Sequence, residues 1–196
     1  MFRRLVQSSI PTVWGEFQVI AYGKDENDPT PHLALIKEPL LRDHIVLTRI
    51  HSECVTGDLF GSQRCDCGPQ LDKAMEMIGK SGGLLLYMRQ EGRGIGLINK
   101  LKAYQLQDQG KDTASANIHL GFRVDERSYE DAVLMLQDLG IHQINLLTNN
   151  PEKVKVFDQG NIHLINRIPL EIAPGRSNRR YLETKKNIMG HLLDLK

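Results

Sequence analysis

The sequence has no long apolar run. No stretch approaches the length needed to span a bilayer. The amino terminus, Met-Phe-Arg-Arg-Leu-Val-Gln-Ser-Ser-Ile-Pro, carries two arginines with no apolar segment behind them, so it does not read as a signal peptide. Charge of one sign is also lacking: Lys+Arg number 25, Asp+Glu 24, and the net charge is +1. That balance argues against a surface that coats DNA, RNA or an anionic membrane, and leaves room for one local basic pocket. Aromatic residues are scarce, with five Phe, five Tyr and one Trp, too few to favour a stacking platform for single strands. Cysteine is scarcer still. Three thiols, an odd number, without an export signal point to a reducing compartment and to metal rather than disulfides. The expected location is cytoplasmic, with no nucleic-acid or membrane partner. Internal repeats, low-complexity tracts and linkers long enough to part domains are absent too.

What is present is an ordinary globular composition, 40% apolar and 25% charged over 196 residues, enough for one domain with a real core. Phe17 to Ala21, His32 to Lys37 and His44 to Ile50 read as strands between turn-rich segments. From Cys67 onward helices and strands alternate. Pro69 suits a first helical turn, and Leu71, Ala74, Met75 and Ile78 share one face, with Gly79 and Gly82-Gly83 as the stop. Leu84 to Met88 reads as a buried strand. A helix follows from about Leu97 to Gln109, with Leu97, Leu101 and Tyr104 on one face. Ser128 with Asp131 suggests a capping box for a helix whose stripe is Ala132, Met135, Leu136 and Leu139. Gln143 to Leu147 is a strand. Asn150-Pro151 opens a short helix, Ile162 to Ile168 forms a last strand, and Tyr181 to Met189 a last helix. The predicted class is mixed α/β, one domain over 1–196 with a β-rich amino-terminal part.

The chemistry concentrates between Arg49 and Gln70, which holds Cys54, Cys65 and Cys67. A Cys-x-Cys pair with a third thiol upstream is a poor core pattern and a good zinc pattern. Cysteine as a small buried hydrophobe is the plainer explanation. His51 could close a Cys₃His structural site. Alternatively, three thiolates could leave a fourth position for water, and spacing does not choose between the two.

Three further loops carry candidate groups. Glu91-Gly-Arg-Gly-Ile-Gly96, flanked by Arg89, lies between a strand and a helix, where backbone amides can approach an anion. Its spacing is neither G-x-G-x-x-G nor a P-loop, so a simple chain reversal explains it equally well. Asp125-Glu-Arg127, on its own, is most simply a solvated surface pair. Thr148-Asn-Asn-Pro-Glu-Lys153 puts a hydroxyl at a strand end and a lysine in a first helical turn, where the dipole disfavours a cation unless an anion is bound. Together these point to a zinc-activated water near a polyanion pocket, and so to hydrolysis on a nucleotide base, with Glu53 the nearest carboxylate in sequence.

Arg49-Ile-His-Ser-Glu-Cys-Val-Thr-Gly-Asp, Arg64-Cys-Asp-Cys-Gly-Pro-Gln-Leu71, Arg89-Gln-Glu-Gly-Arg-Gly-Ile-Gly-Leu97, Ala103-Tyr104 with Leu106-Gln-Asp-Gln-Gly110, Asp112-Thr113, Leu147-Thr-Asn-Asn-Pro151 and Met189-Gly-His-Leu-Leu193 resemble GTP cyclohydrolase II of riboflavin biosynthesis, in register over nearly the whole chain. Some relatives carry a fused 3,4-dihydroxy-2-butanone 4-phosphate synthase domain, and this chain resembles the monofunctional form.

The resemblance implies conversion of GTP to 2,5-diamino-6-hydroxy-4-(5-phosphoribosylamino)pyrimidine with loss of formate and pyrophosphate. It implies one zinc per chain on Cys54, Cys65 and Cys67 with water in the fourth place, and magnesium with the triphosphate. By position, Tyr104 matches the family's active-site tyrosine, although its spacing alone reads as a core aromatic. Asp125 matches the proton acceptor, and Arg127 the arginine at the α-phosphate. Arginine stays protonated at any working pH, so its fork suits charge stabilisation better than nucleophilic attack. Substrate-contacting positions fall on Arg49, Ile50, His51, Ser52, Glu53, Gln70, Glu91, Gly92, Arg93, Thr113, Thr148 and Lys153. The family is homodimeric. The competing reading is a nucleotide- or nucleic-acid-binding module with a closed structural zinc site.

Overall fold

Alternation of buried and exposed positions sets the sheet. The structure, a computed structural model, describes residues 1–40 and 43–195. Its strands are β1 (Arg3–Thr12), β2 (Gly15–Gly23), β3 (His32–Lys37), β4 (Val46–Ser52), β5 (Gly83–Met88), β6 (Gln143–Leu147) and β7 (His163–Ile168). They form one mixed sheet in the order β1-β2-β3-β5-β4-β6-β7. β1, β2, β3 and β5 pair antiparallel, Leu35 opposite Leu85, while β4, β6 and β7 run parallel. On β2 and β3 the core-facing residues are Ile20, Tyr22, Ala34 and Ile36, with Phe17 buried on the opposite face. Central β5 buries Leu84, Leu85, Leu86 and Met88, as a continuous apolar run requires. The expected mixed α/β class holds, with strands gathered in the amino-terminal part.

The helices are α1 (Val55–Asp58), α2 (Cys67–Ser81), α3 (Gly96–Asp108), α4 (Thr113–His119), α5 (Glu130–Asp138), α6 (Pro151–Lys155) and α7 (Arg179–Asn187). The chain divides into two compact units, each assembled from separate segments. Met1–His51, Asp72–Arg89 and Tyr129–Leu170 make the first; Ser52–Leu71, Gln90–Ser128 and Glu171–Lys196 make the second. The first unit contains the main apolar core, where Ile20, Ile36, Ile50, Leu86 and Leu146 of the sheet cluster with Ala132, Met135, Leu136 and Leu139 of α5. No helix among the described residues is long and apolar enough to cross a membrane.

Several local expectations need correction. Strand β1 is missing from the sequence reading because it is an edge strand, exposed at nearly every position, with no alternation to betray it. β4 starts and ends two residues later than expected. Helix α2 runs through Gly79, whose missing side chain makes room for the chain at Trp14: a Cβ there would lie 2.6 Å from the Trp14 carbonyl oxygen. The Ser128–Asp131 capping box does not form. Tyr129 takes the N-cap position without a side-chain cap, since its ring is buried in the core and its hydroxyl accepts from Asn150 Nδ2 at 3.3 Å. Leu97 and Leu101 do share a face of α3, but that face is exposed, and the buried residues of α3 are Lys100 and Ala103.

Leu136→Ala should cost about 2–5 kcal/mol in a denaturant titration, because it empties a fully buried position. The same truncation at half-exposed Leu134 should change stability by no more than about 0.5 kcal/mol.

Candidate metal centre and anion-binding residues

The three thiols meet within the second unit. Cys54 stands before α1, its amide donating to Asp58 Oδ2 at 3.0 Å. The chain then turns, Ser62 N donating to the Thr56 carbonyl at 2.8 Å, and returns through Cys65 to Cys67, the first residue of α2. Close approach of these segments depends on two glycines. A Cβ on Gly57 would lie 2.9 Å from Cys65 Sγ and 3.2 Å from Cys54 Sγ, and one on Gly68 would lie 2.3 Å from the Gly57 carbonyl oxygen. The three sulfurs lie within 4.8 Å of one another, Cys54 and Cys65 being 3.7 Å apart, and all three are free thiols. Sulfurs at tetrahedral angles around zinc, each about 2.3 Å from the ion, stand roughly 3.8 Å apart. The cluster fits such an ion.

A buried cation faces it. Lys100 Nζ donates to Cys54 Sγ at 3.0 Å and to Glu91 Oε1 at 2.8 Å. Glu91 is itself committed, accepting from Gly92 N on Oε1 and from Val55 N on Oε2, both at 2.6 Å. Hydrogen bonds from Cys65 and Cys67, and then the Lys100 ammonium, hold the Cys54 thiol far below the ordinary range. The hydrogen bond with Cys54 pushes Cys65 up to about 11, and hydrogen bonds with Cys54 and Cys65 hold the Cys67 thiol well above its ordinary range. Lys100, though burial opposes its charge, is held above the usual lysine range by Cys54 and Glu91.

Tyr104 joins the cluster through Thr56. Its hydroxyl lies 3.4 Å from Thr56 Oγ1, which lies 3.7 Å from Cys54 Sγ. The Arg64 guanidinium covers the ring at 4.9 Å. Burial pushes the phenol up, so Tyr104 is a neutral O–H donor at physiological pH. Gln70 is buried, and its Nε2 donates to Asp66 Oδ2 at 2.6 Å. Half-buried Ser52 donates to Gln90 Oε1 at 3.4 Å, and Glu53 is likewise half-buried. Thr113 opens α4, where Asp112 caps the Ala114 and Ser115 amides; among the described residues it takes no part in the hydrogen bonds around the thiols.

The loop before α3 is strained. Gly92 and Arg93 both have left-handed backbones, at φ 63° and 62°, and Arg93 is the one such non-glycine among the described residues. That conformation costs a residue with a Cβ roughly 1–2 kcal/mol. The Arg93 carbonyl accepts from Glu126 N at 3.0 Å, which pins the turn. Both terminal nitrogens of Arg93 are buried and lack a hydrogen-bond partner among the described residues. A guanidinium left in that state calls for an anion.

Asp125 and Arg127 are a half-buried pair rather than a solvated one. Arg127 Nε donates to Oδ1 at 2.8 Å and Nη2 to Oδ2 at 2.5 Å, with 12% of the arginine side chain exposed. Burial pushes the Asp125 carboxyl up, but the hydrogen bonds and charge of Arg127, with Arg93 behind them, win and hold it below the ordinary carboxylate range.

The first unit gathers a different set. Arg49 is buried, its Nη1 donating to the Leu147 carbonyl at 2.8 Å and its Nη2 lying 3.5 Å from His51 Nδ1. His51 stacks on Tyr87 with ring centroids 5.6 Å apart. Lys153, also buried, donates to the Ile50 carbonyl at 2.8 Å and lies over the Tyr129 ring. Ile50 puts its own side chain in the core. Thr148 Oγ1 accepts from Asn150 N, and Asn150 caps the Glu152 amide. Buried cations therefore crowd the ends of β4 and β6.

Residues 3–169 match the family model described as GTP cyclohydrolase II. The chain belongs to the GTP cyclohydrolase II family. It is 50% identical over 194 residues to the riboflavin biosynthesis protein RibBA of Chlorobium phaeovibrioides, covering 98% of this chain and 47% of that protein. RibBA of Bacillus cereus strain B4264 is 49% identical over 98% of this chain and 48% of its own, and RibBA of Cytophaga hutchinsonii 48% identical over the same shares. The chain thus spans about half the length of the curated relatives it matches. A crystal structure of RibBX, a two-domain 3,4-dihydroxy-2-butanone 4-phosphate synthase from A. baumannii, is 24% identical over 75% of this chain and 34% of its own. Its TM-score of 0.37 is too low a likeness to bear on the fold.

The cyclohydrolase II cluster includes two residues that the sequence did not offer. Lys100 and Thr56 carry no motif spacing of their own. Lys100 stands three residues after Leu97 and four before Tyr104, on the side of α3 that those two share, and is passed over because a lysine is ordinarily solvated.

Gly57→Ala should bring a methyl group against two sulfurs and cut the metal retained on purification to a small fraction of the wild-type content, read by elemental analysis on folded protein. Wild-type metal content in that variant would mean the sulfurs have slack that their packing denies.

Proposed function

We propose that this chain hydrolyses GTP at guanine C8, releasing formate and pyrophosphate and leaving 2,5-diamino-6-hydroxy-4-(5-phosphoribosylamino)pyrimidine, an early intermediate on the route to riboflavin. One observation supports this above the others: three thiols at the spacing of a tetrahedral zinc site, in a chain that matches the family over residues 3–169. Cys54, Cys65 and Cys67 would hold one zinc ion, leaving its fourth position to water. Zinc held there supplies Lewis-acid activation of water for attack on an electrophilic carbon.

The remaining work falls to the chain's own groups. Tyr104 is a neutral phenol, suited to donate a hydrogen bond to the purine as its ring opens. Asp125, kept ionised by Arg127, is the proton acceptor. Arg127 and Arg93 place fixed positive charge for the α-phosphate and the departing pyrophosphate, a task that suits forked guanidinium groups. Arg49, His51, Thr148 and Lys153 supply further polar and cationic contacts to the nucleotide, with Ile50, Ser52, Glu53, Gln70, Glu91, Gly92 and Thr113 completing the set. Magnesium accompanies the triphosphate and offsets its charge. The working form is a cytoplasmic homodimer.

The deciding experiment measures formate and pyrophosphate released from GTP with magnesium, before and after zinc removal. The proposal expects both products from the zinc-loaded protein and no formate once zinc is removed. A folded, zinc-loaded protein that yields neither would favour a binding module with structural zinc. Cys65→Ser should lose zinc and formate release together, and full turnover in a zinc-free variant would sink the mechanism.

A pH test follows from the Asp125–Arg127 pair. A base works above its own pKa, and Arg127 holds that of Asp125 down. Arg127→Gln removes the lowering influence and leaves the burial, so the acid limb of kcat/KM for formate release should move to higher pH. An acid limb that stays in place would remove Asp125 as the group responsible.

A further inference from the structure

Helix α7 lies beyond the segment matched to the family, residues 3–169, yet it makes an ion pair with the turn that carries two of the three thiols. Asp66, between Cys65 and Cys67, is 1% exposed. Its Oδ1 accepts from Lys185 Nζ at 2.6 Å and its Oδ2 from Gln70 Nε2 at 2.6 Å. The Lys185 side chain is 12% exposed. Asn178, at the start of α7, donates to the Cys65 carbonyl at 3.4 Å and holds Gly175 N at 2.8 Å through its Oδ1. Tyr181, one turn before Lys185, has that ammonium 4.7 Å from its ring and the Arg93 guanidinium 5.6 Å away.

We propose that Lys185 of α7 is a positioning residue of the metal centre, acting through Asp66 to fix the Cys65–Cys67 turn and to neutralise the carboxylate set among its thiolates. This rests on the reading of the cysteines as a zinc site. The physical reason is charge. Three thiolates around a divalent ion leave one net negative charge, and Asp66 adds another within the same turn. A buried carboxylate there is tolerable only with a counter-ion held as tightly as itself. Lys100 serves Cys54, and Lys185 serves the Cys65–Cys67 turn. Outer partners of this kind orient metal ligands without touching the metal. Asn178 and Tyr181 explain why a helix supplies the lysine: its N-cap residue grips the Cys65 backbone, and its tyrosine ring lies near two cations.

The test uses the full chain loaded with cobalt, whose sulfur-to-metal charge-transfer absorption reports the thiolates directly. Lys185→Met should weaken that absorption and speed metal release to a chelator by about 10- to 100-fold, as loss of an outer-shell partner does. Lys185→Arg should restore the wild-type spectrum, and Lys186→Met, at the exposed neighbouring position, should leave both readouts unchanged. Adding Asp66→Asn to Lys185→Met removes the stranded carboxylate and should slow release again. Should Lys185→Met fail to fold, Lys185→Gln, which keeps a donor but no charge, takes the same test. A folded Lys185→Met or Lys185→Gln that matches wild type in spectrum and release rate overturns the proposal alone. Wild-type protein that takes up no cobalt and no zinc overturns the zinc reading and the proposal with it.

Discussion

The constraint on which the second unit depends is the gathering of three sulfurs into one small volume. Thiols at 3.7 Å cannot all ionise in a poorly solvated interior unless positive charge is brought to them. The chain meets this with a metal-sized arrangement of the sulfurs and with the Lys100 ammonium on Cys54, and Glu91 in turn fixes Lys100 and the Val55 amide. Remove the close approach of Gly57 and Gly68 and the sulfurs part. Glu91 shows how one side chain can serve two ends at once: it ties the loop before α3 to the start of α1, so the strained Arg93 and the first thiol share a single anchor.

Much of this was legible in the sequence because it is local. Cysteine spacing, the Asn150-Pro151 helix start and the stripe of α5 all follow from short-range rules, and each lies close to where those rules place it. The failures have a common origin in contacts distant along the chain. Edge strand β1 has no buried face to read. Tyr129 abandons the predicted capping register because the core claims its ring. Asp125-Glu-Arg127 reads as a surface pair, and only tertiary packing makes it half-buried. Lys100 is the sharpest case: a lysine by its charge belongs in water, and only the sulfur and carboxylate waiting for it reverse that.

The distribution of segments follows the strands. The three pieces of the second unit begin at Ser52, the last residue of β4, and at Gln90 and Glu171, after β5 and β7 have ended. Candidate residues thus follow β4, β5 and β6 in chain order, while the antiparallel pair β1 and β2 carries none of them. The helices of the second unit expose apolar side chains at Leu97, Ile98, Leu101 and Ile118, while its interior holds the charged side chains of Asp66, Glu91 and Lys100.

Asp66 and Lys185 stand 119 residues apart in sequence. During synthesis, where amino-terminal parts form first, all three thiols emerge long before the lysine and tyrosine that pack beside them. Until then the sulfurs are a flexible, accessible cluster, open to sulfenic acid formation or to a disulfide between Cys54 and Cys65. In the folded chain those two are buried and Cys67 half-buried. The oxidative weakness of this protein therefore belongs to its youth: it is greatest in the unfinished chain and closes as the last helix settles.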